Sequence, residues 1–125
     1  MKHRLRSDLT ALMLVPGLSG YEDRVRALIR DRLAAAGVAA RTDRLGNLIA
    51  TFAGDAAAPS VMLFTHMDQL GLIVRKIEDD GLIRVERMGG IPERALAAQA
   101  VLLCVGEGRD VPGVITTKSH HATTP

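Results

Sequence analysis

Ring side chains are nearly missing from this sequence: there is no Trp, one Tyr and two Phe among 125 residues. A stack of aromatics for single-stranded nucleic acid is thereby excluded, and any core must come from Leu, Ile, Val, Met and Ala. A surplus of one charge sign is missing too. Sixteen basic and fourteen acidic residues leave a net charge of +2. They are interleaved along the chain, so no basic stripe suggests binding to a phosphate backbone. Cys104 is the only cysteine, which excludes an internal disulfide and fits a reducing compartment. No apolar run reaches the roughly 20 residues of a membrane helix. Met1-Lys2-His3-Arg4-Leu5-Arg6 has the basic character of a signal-peptide start, but Ser7, Asp8 and Thr10 break the stretch behind it. The expectation is a cytoplasmic protein with no nucleic-acid and no membrane partner.

What is present reads as a globular chain, 47% hydrophobic and 24% charged. Leu5, Leu9, Leu12 and Met13 recur at helical spacing until Pro16-Gly17. Ser19-Gly20-Tyr21-Glu22 has the capping-box form, which makes Ser19 a helix cap rather than a nucleophile. Val25, Leu28, Ile29, Leu33 and Ala36 then form an apolar stripe ending at Gly37. Arg24, Arg26, Arg30 and Arg32 fall mainly on the opposite, solvated face. Beyond Gly37 the period becomes that of strands. Val38 to Thr42 and Leu48 to Ala53 flank a turn at Asp43-Arg44-Leu45-Gly46-Asn47. Val61-Met62-Leu63-Phe64 is a short unbroken apolar run, as expected of an interior strand covered on both faces. Helices, strands and a buried strand in this order predict an α/β beginning. From Gly71 the pattern is all-β: Leu72 to Ile77 pairs with Leu82 to Met88 across Glu78-Asp79-Asp80-Gly81, and Val101 to Val105 with Val111 to Ile115 across a turn at Gly106-Glu107-Gly108-Arg109-Asp110. Cys104, inside an apolar run, is expected to be an inert buried thiol.

The chemistry-bearing pair is His66 and Asp68. Two apart in extended chain, they point to the same side, and ligands of α/β folds gather at the C-terminal ends of strands. Imidazole suits zinc-like divalent ions. A neighbouring carboxylate can take the other ring N–H, which fixes the tautomer and raises the ring's basicity as a ligand. By spacing alone, which occurs by chance in many proteins, the pair reads first as a strand-end His hydrogen-bonded to a turn Asp. His120-His121 could also bind a metal, yet neighbours in extended chain point apart, so a satisfied or solvated pair is the reading for them.

Several segments recur in a telling order: Pro16-Gly17-Leu18-Ser19-Gly20-Tyr21-Glu22, Asp43-Arg44-Leu45-Gly46-Asn47-Leu48-Ile49-Ala50, and Met62-Leu63-Phe64-Thr65-His66-Met67-Asp68-Gln69-Leu70-Gly71. Ile77-Glu78-Asp79-Asp80-Gly81, Val85-Glu86-Arg87-Met88-Gly89-Gly90 and Val111-Pro112-Gly113-Val114-Ile115 follow. As an ordered set, from about residue 10 onward, they resemble the first part of the glutamyl/tetrahedral aminopeptidases, members of which are sometimes labelled endoglucanases or cellulases. The resemblance implies an α/β metallopeptidase catalytic domain, begun by residues 1–70 and interrupted by an inserted β-rich dimerisation domain, part of it in residues 71–125. It implies two divalent metal ions, zinc or cobalt, peptide substrates, and homo-oligomers that are dimers or larger assemblies of dimers. Carried over by position, His66 matches the first metal-binding His, and Asp68 matches the active-site Asp that supports it.

Most members have Glu where this sequence has Gln69, a neutral side chain that cannot act as a base. The bridging Asp, the paired Glu residues that include the general base, and the remaining Asp and His ligands find no counterpart in residues 69–125. The expected function is therefore a metal-dependent aminopeptidase, hydrolysing N-terminal residues from peptides, present here as an N-terminal segment that is inactive alone. The alternative from another class is a non-catalytic self-association or binding module that keeps the family fold. A related two-metal deacylase or carboxypeptidase also begins with His-x-Asp, but the Gly-rich segments after Asp68 argue against it.

Overall fold

The first apolar periodicity forms a helix, α1 (Lys2–Met13), which ends ahead of Pro16 as a residue lacking an N–H requires. It belongs to a computed structural model of the chain that describes residues 2–106 and 108–117. Helix α2 (Asp23–Ala35) follows, and its C-terminus closes as a Schellman motif. Gly37 sits at φ 74°, its N–H donates to Ala34 O at 2.9 Å, and Val38 N–H reaches back to Leu33 O at 2.9 Å. Only a residue without a Cβ adopts that φ at little cost.

Residues 1–69 form one compact unit. Strands β1 (Ala40–Thr42) and β2 (Leu48–Ala50) pair antiparallel, with Arg41 opposite Ile49. Asp43 organises the turn between them: its Oδ1 accepts from the Leu45 and Asn47 N–H groups, each at 2.9 Å, and its Oδ2 accepts from Asn47 Nδ2 at 2.9 Å. The unit's buried apolar anchor is Val25, 4% exposed, on the helix stripe foreseen from the sequence. Gly17, also buried, lies against it. A Cβ at Gly17 would stand 2.5 Å from Val25 Cγ2 and 3.5 Å from the Met67 carbonyl oxygen, so this close approach demands glycine.

Three expectations for this unit need correction. Residues 61–64 are neither strand nor buried: Val61 is 84% and Phe64 90% exposed. An interior strand needs a ladder on both edges and a layer on both faces, and the described residues provide neither for this run. Ser19 is not a helix cap, because α2 starts later, with Glu22 at the N-cap position and no side-chain cap bond. Instead Glu22 Oε1 accepts from the Gly20 N–H at 2.7 Å. Nor is Arg26 part of a solvated face. Its side chain is 17% exposed, donating to Asp23 and, through Nε, to the Gly46 carbonyl at 2.6 Å, which ties α2 to the β1–β2 turn. Arg32 likewise donates to Asp8, joining the two helices.

The described residues from Leu70 onward form a second compact unit. Strand β3 (Gly71–Ile77) pairs with β4 (Ile83–Met88), with a register shift between Val74 and Lys76. Gly81, at φ 84°, closes the predicted turn, and its N–H donates to Glu78 O at 2.9 Å. A short 3-10 turn at Glu93–Ala95 leads to β5 (Ala100–Cys104), which pairs with β6 (Asp110–Val114). Both hairpins are antiparallel and two-stranded. Strand β4 is exposed from Ile83 through Arg87, on both faces. A lone hairpin has no second layer to bury either face. Cys104 is exposed, not the buried thiol expected, because it lies at the end of β5, on the strand's exposed alternation. The sequence reading of His120-His121 falls outside the described residues. Helices first and antiparallel hairpins afterwards make an α/β chain, and among the described residues no helix is long and apolar enough to cross a membrane.

Candidate functional site

The 15–19 loop, which follows α1, and the 66–69 segment run alongside one another. Gln69 N–H donates to the Gly17 carbonyl at 2.8 Å, and Leu18 forms a parallel bridge with Gln69. The Gln69 carboxamide adds a second tie, its Nε2 donating to the Val15 carbonyl at 2.7 Å. A carboxylate at that position has no proton to donate, so the neutral side chain that departs from the family pattern makes a contact Glu would not.

His66 and Asp68 are brought together as the spacing predicts. Nδ1 of His66 lies 2.9 Å from Asp68 Oδ1 and 3.0 Å from the Asp68 carbonyl oxygen. Both neighbours only accept, so Nδ1 carries a proton, and in the neutral ring the lone pair is then on Nε2. The ring is 82% exposed and the Asp68 side chain 37%, so the pair stands at the surface rather than at the end of a buried strand. The other carboxylate oxygen, Oδ2, accepts from the Ser19 hydroxyl. Donation from Ser19 first, and then from His66, holds the Asp68 carboxyl below the usual carboxylate range.

The donor chemistry suits part of a metal centre. Zinc-type ions take imidazole nitrogen, and a carboxylate on the far ring nitrogen is the usual support for such a ligand. Among the described residues no group of three His, Cys, Asp or Glu comes together, so no ligand set surrounds His66 there. The cleft beside α1 and α2, about 240 Å³, is lined by Ala11, Leu12, Leu28, Ile29 and Leu33 among others and includes neither His66 nor Asp68.

Sequence reasoning missed the Ser19 contact. The capping-box pattern drew Ser19 toward the helix, and a partner 49 residues away leaves no periodic signal. The one hint was that the segments holding Ser19 and Asp68 belong to the same ordered set of motifs.

The profile of the M42 glutamyl aminopeptidases matches residues 46–125. The chain belongs to this family. Among M42-like relatives, the lysyl aminopeptidase of Pyrococcus furiosus is 42% identical over 103 residues, covering 80% of this chain and 29% of that protein. Among solved structures, an aminopeptidase from the archaeon Desulfurococcus kamchatkensis superposes with a TM-score of 0.85 at 32% identity, over 95% of this chain and 33% of that one. The TET1 peptidase of Pyrococcus horikoshii, which can assemble into a tetrahedron or a large octahedral shell, gives 0.77 at 33% identity, over 93% and 34%. The chain therefore spans about a third of the length of the M42 proteins it matches.

Proposed function

We propose that the chain is the N-terminal part of a metal-dependent aminopeptidase that hydrolyses N-terminal residues from peptides. The observation that supports this most directly is the His66–Asp68 pair, its Nδ1 proton held on Asp68 and its Nε2 lone pair exposed, in a chain that matches the M42 family. His66 would hold one of two divalent ions, zinc or cobalt, and Asp68 would be its supporting carboxylate. Such ions polarise a peptide carbonyl and make water a competent nucleophile near neutral pH. The chain's own residues do the orienting: Asp68 fixes the tautomer, and the main-chain tie from Gln69 to Gly17 holds the segment bearing both side chains.

In the same reading, residues 1–70 begin the α/β catalytic domain and residues 71–125 form part of an inserted β-rich dimerisation domain. Exposed Leu102, Val111 and Val114 in the second hairpin are apolar surface suited to association. Self-association into dimers or larger assemblies of dimers goes with a tetrahedral neighbour, and the cysteine-poor composition goes with the cytoplasm.

The test is an aminopeptidase assay on the gene product at its natural length, with Zn²⁺ or Co²⁺ added, beside His66→Ala. Metal-dependent release of N-terminal residues that disappears in the variant supports the reading. Equal turnover in the variant overturns the assignment of His66. A metal-independent protein that self-associates without any turnover would favour the binding-module alternative.

A further inference from the structure

We infer that Ser19 is a positioning residue for the metal-facing pair: its hydroxyl holds Asp68 so that Asp68 in turn holds His66 with Nε2 directed away from the protein. This rests on the proposed metal role of His66, but its physical content does not need the metal.

The Asp68 carboxylate has two oxygens and both are used, Oδ1 by His66 and Oδ2 by Ser19. A carboxylate gripped at only one oxygen turns about its terminal torsion, which is broad and roughly two-fold. One gripped at both has its plane fixed, and with it the direction of the lone pair that receives the imidazole N–H. Asp68 stands two residues from His66, so the pair alone is a local contact. Ser19 comes from a loop 49 residues earlier, on the other side of the ladder between Gly17 and Gln69, and links the pair to the helical layer. That loop is itself held tightly. Gly17 packs on Val25 and beside the Met67 carbonyl, and Val15 accepts from the Gln69 carboxamide. The hydroxyl is thus presented from a fixed backbone, as an orienting group behind a ligand must be.

The alternative is that Ser19 merely fills space beneath the 66–69 segment. Histidine ring ¹H–¹⁵N correlation spectra of the 125-residue chain separate the two, recorded at about pH 8, where imidazoles are ordinarily neutral. The His66→Ala spectrum picks out the His66 signals from the other three histidines. The expected result is a dominant Nδ1–H tautomer in the natural chain and mixed tautomers in Ser19→Ala. Ser19→Thr keeps a hydroxyl and should restore the pure tautomer. Ser19→Val has nearly the shape of Thr without the hydroxyl and should not. That pair decides the matter even if Ser19→Ala folds poorly. An unchanged tautomer in Ser19→Ala, or equal behaviour of the Thr and Val variants, overturns the inference, as does an Nε2–H tautomer in the natural chain.

A second arm adds Zn²⁺ alone to the gene product at its natural length, with and without Ser19→Ala. The expected outcome is a His66 response at Nε2 whose apparent affinity falls by about tenfold in Ser19→Ala, the lower end of what loss of an outer partner costs. If the ring ignores Zn²⁺ while its tautomer still depends on the Ser19 hydroxyl, the metal assignment fails and the positioning role of Ser19 stands.

Discussion

The two units are held by different kinds of contact. In residues 1–69 the decisive contacts join parts of the chain far apart in sequence: Ser19 to Asp68, Gly17 to Gln69, Arg26 to the Gly46 carbonyl, and Arg32 to Asp8. In residues 70–125 nearly everything described is a neighbour of its own hairpin. The contacts are the β3–β4 and β5–β6 ladders themselves, with ion pairs inside the first hairpin such as Arg75 with Glu86 and Arg84 with Glu78. The candidate site sits in the first kind of region, because presenting an imidazole in one tautomer requires a carboxylate fixed from elsewhere. A hairpin can be written into a dozen consecutive residues, whereas such a site cannot.

The contrast should be most visible at Gly17. A methyl group there would meet Val25 Cγ2 at 2.5 Å, in the one place where the described residues of this unit bury an apolar side chain. Gly17→Ala is expected to cost about 2–3 kcal/mol, the upper part of the range for overpacking. Denaturant unfolding measures it, and the His66 tautomer should loosen along with the fold. A loss under about 0.5 kcal/mol would mean that the loop yields freely, contrary to a long-range scaffold.

A paired substitution sharpens the same comparison at lower cost. Gly46 and Gly81 both have positive φ, 87° and 84°. A Cβ at Gly81 meets nothing within 4 Å, but one at Gly46 meets Arg26 Nη2 at 2.7 Å. Gly81→Ala should therefore show only the left-handed backbone penalty, about 1 kcal/mol. Gly46→Ala should lose about 2 kcal/mol, since it also displaces the hydrogen bond from Arg26 to the Gly46 carbonyl. In an Arg26→Ala background the two glycine substitutions should converge. Equal losses in the natural background would remove the claim that Arg26 ties the helix to the turn.

Legibility in the sequence follows the same division. The β3–β4 hairpin was readable because Asp80-Gly81 and the flanking strands are contiguous, and the register follows from the turn. The α2 stripe and its Gly37 stop were readable by period and end chemistry. His66 with Asp68 was readable because two-residue spacing in extended chain is itself geometric. The fate of residues 61–64 was not: apolar composition states what a segment would gain by burial, not whether a layer is there to bury it. Ser19 was misassigned because a hydroxyl suits a cap and a carboxylate equally, and the choice between them was made by residues 49 positions away.

A smaller effect is expected at Gln69. In Gln69→Glu the main-chain tie to Gly17 survives, but the donor to the Val15 carbonyl is lost and two acceptors face one another. The side chain is exposed and can turn to water, so the loss should be about 0.5–1 kcal/mol. Hydrogen exchange at the Gln69 amide should quicken correspondingly. Unchanged exchange would mean that the carboxamide contact contributes nothing to holding the 66–69 segment.

The smallest effect concerns two half-buried carboxylates, one in each unit, and separates their holding forces by salt. Asp43 is kept below its ordinary 3.8 mainly by the Asn47 side-chain amide and then by the Asn47 main-chain N–H. Glu78 is kept below its ordinary 4.5 first by Lys76 and then by Arg84. In both, the folded state binds its proton less readily than the unfolded chain. The contribution is therefore complete above the ordinary value and is lost as pH falls through the lower folded value. At about 1 M salt the screening length shrinks to roughly 3 Å, which weakens the attraction of the Lys76 and Arg84 charges but not the neutral amides around Asp43. Carboxyl titration by NMR should show Glu78 moving up toward its ordinary value in salt while Asp43 stays where it was. Equal movement of both would mean that the Asp43 turn is also held by charge, through Arg41, and that the two units are not built as differently as their contacts indicate.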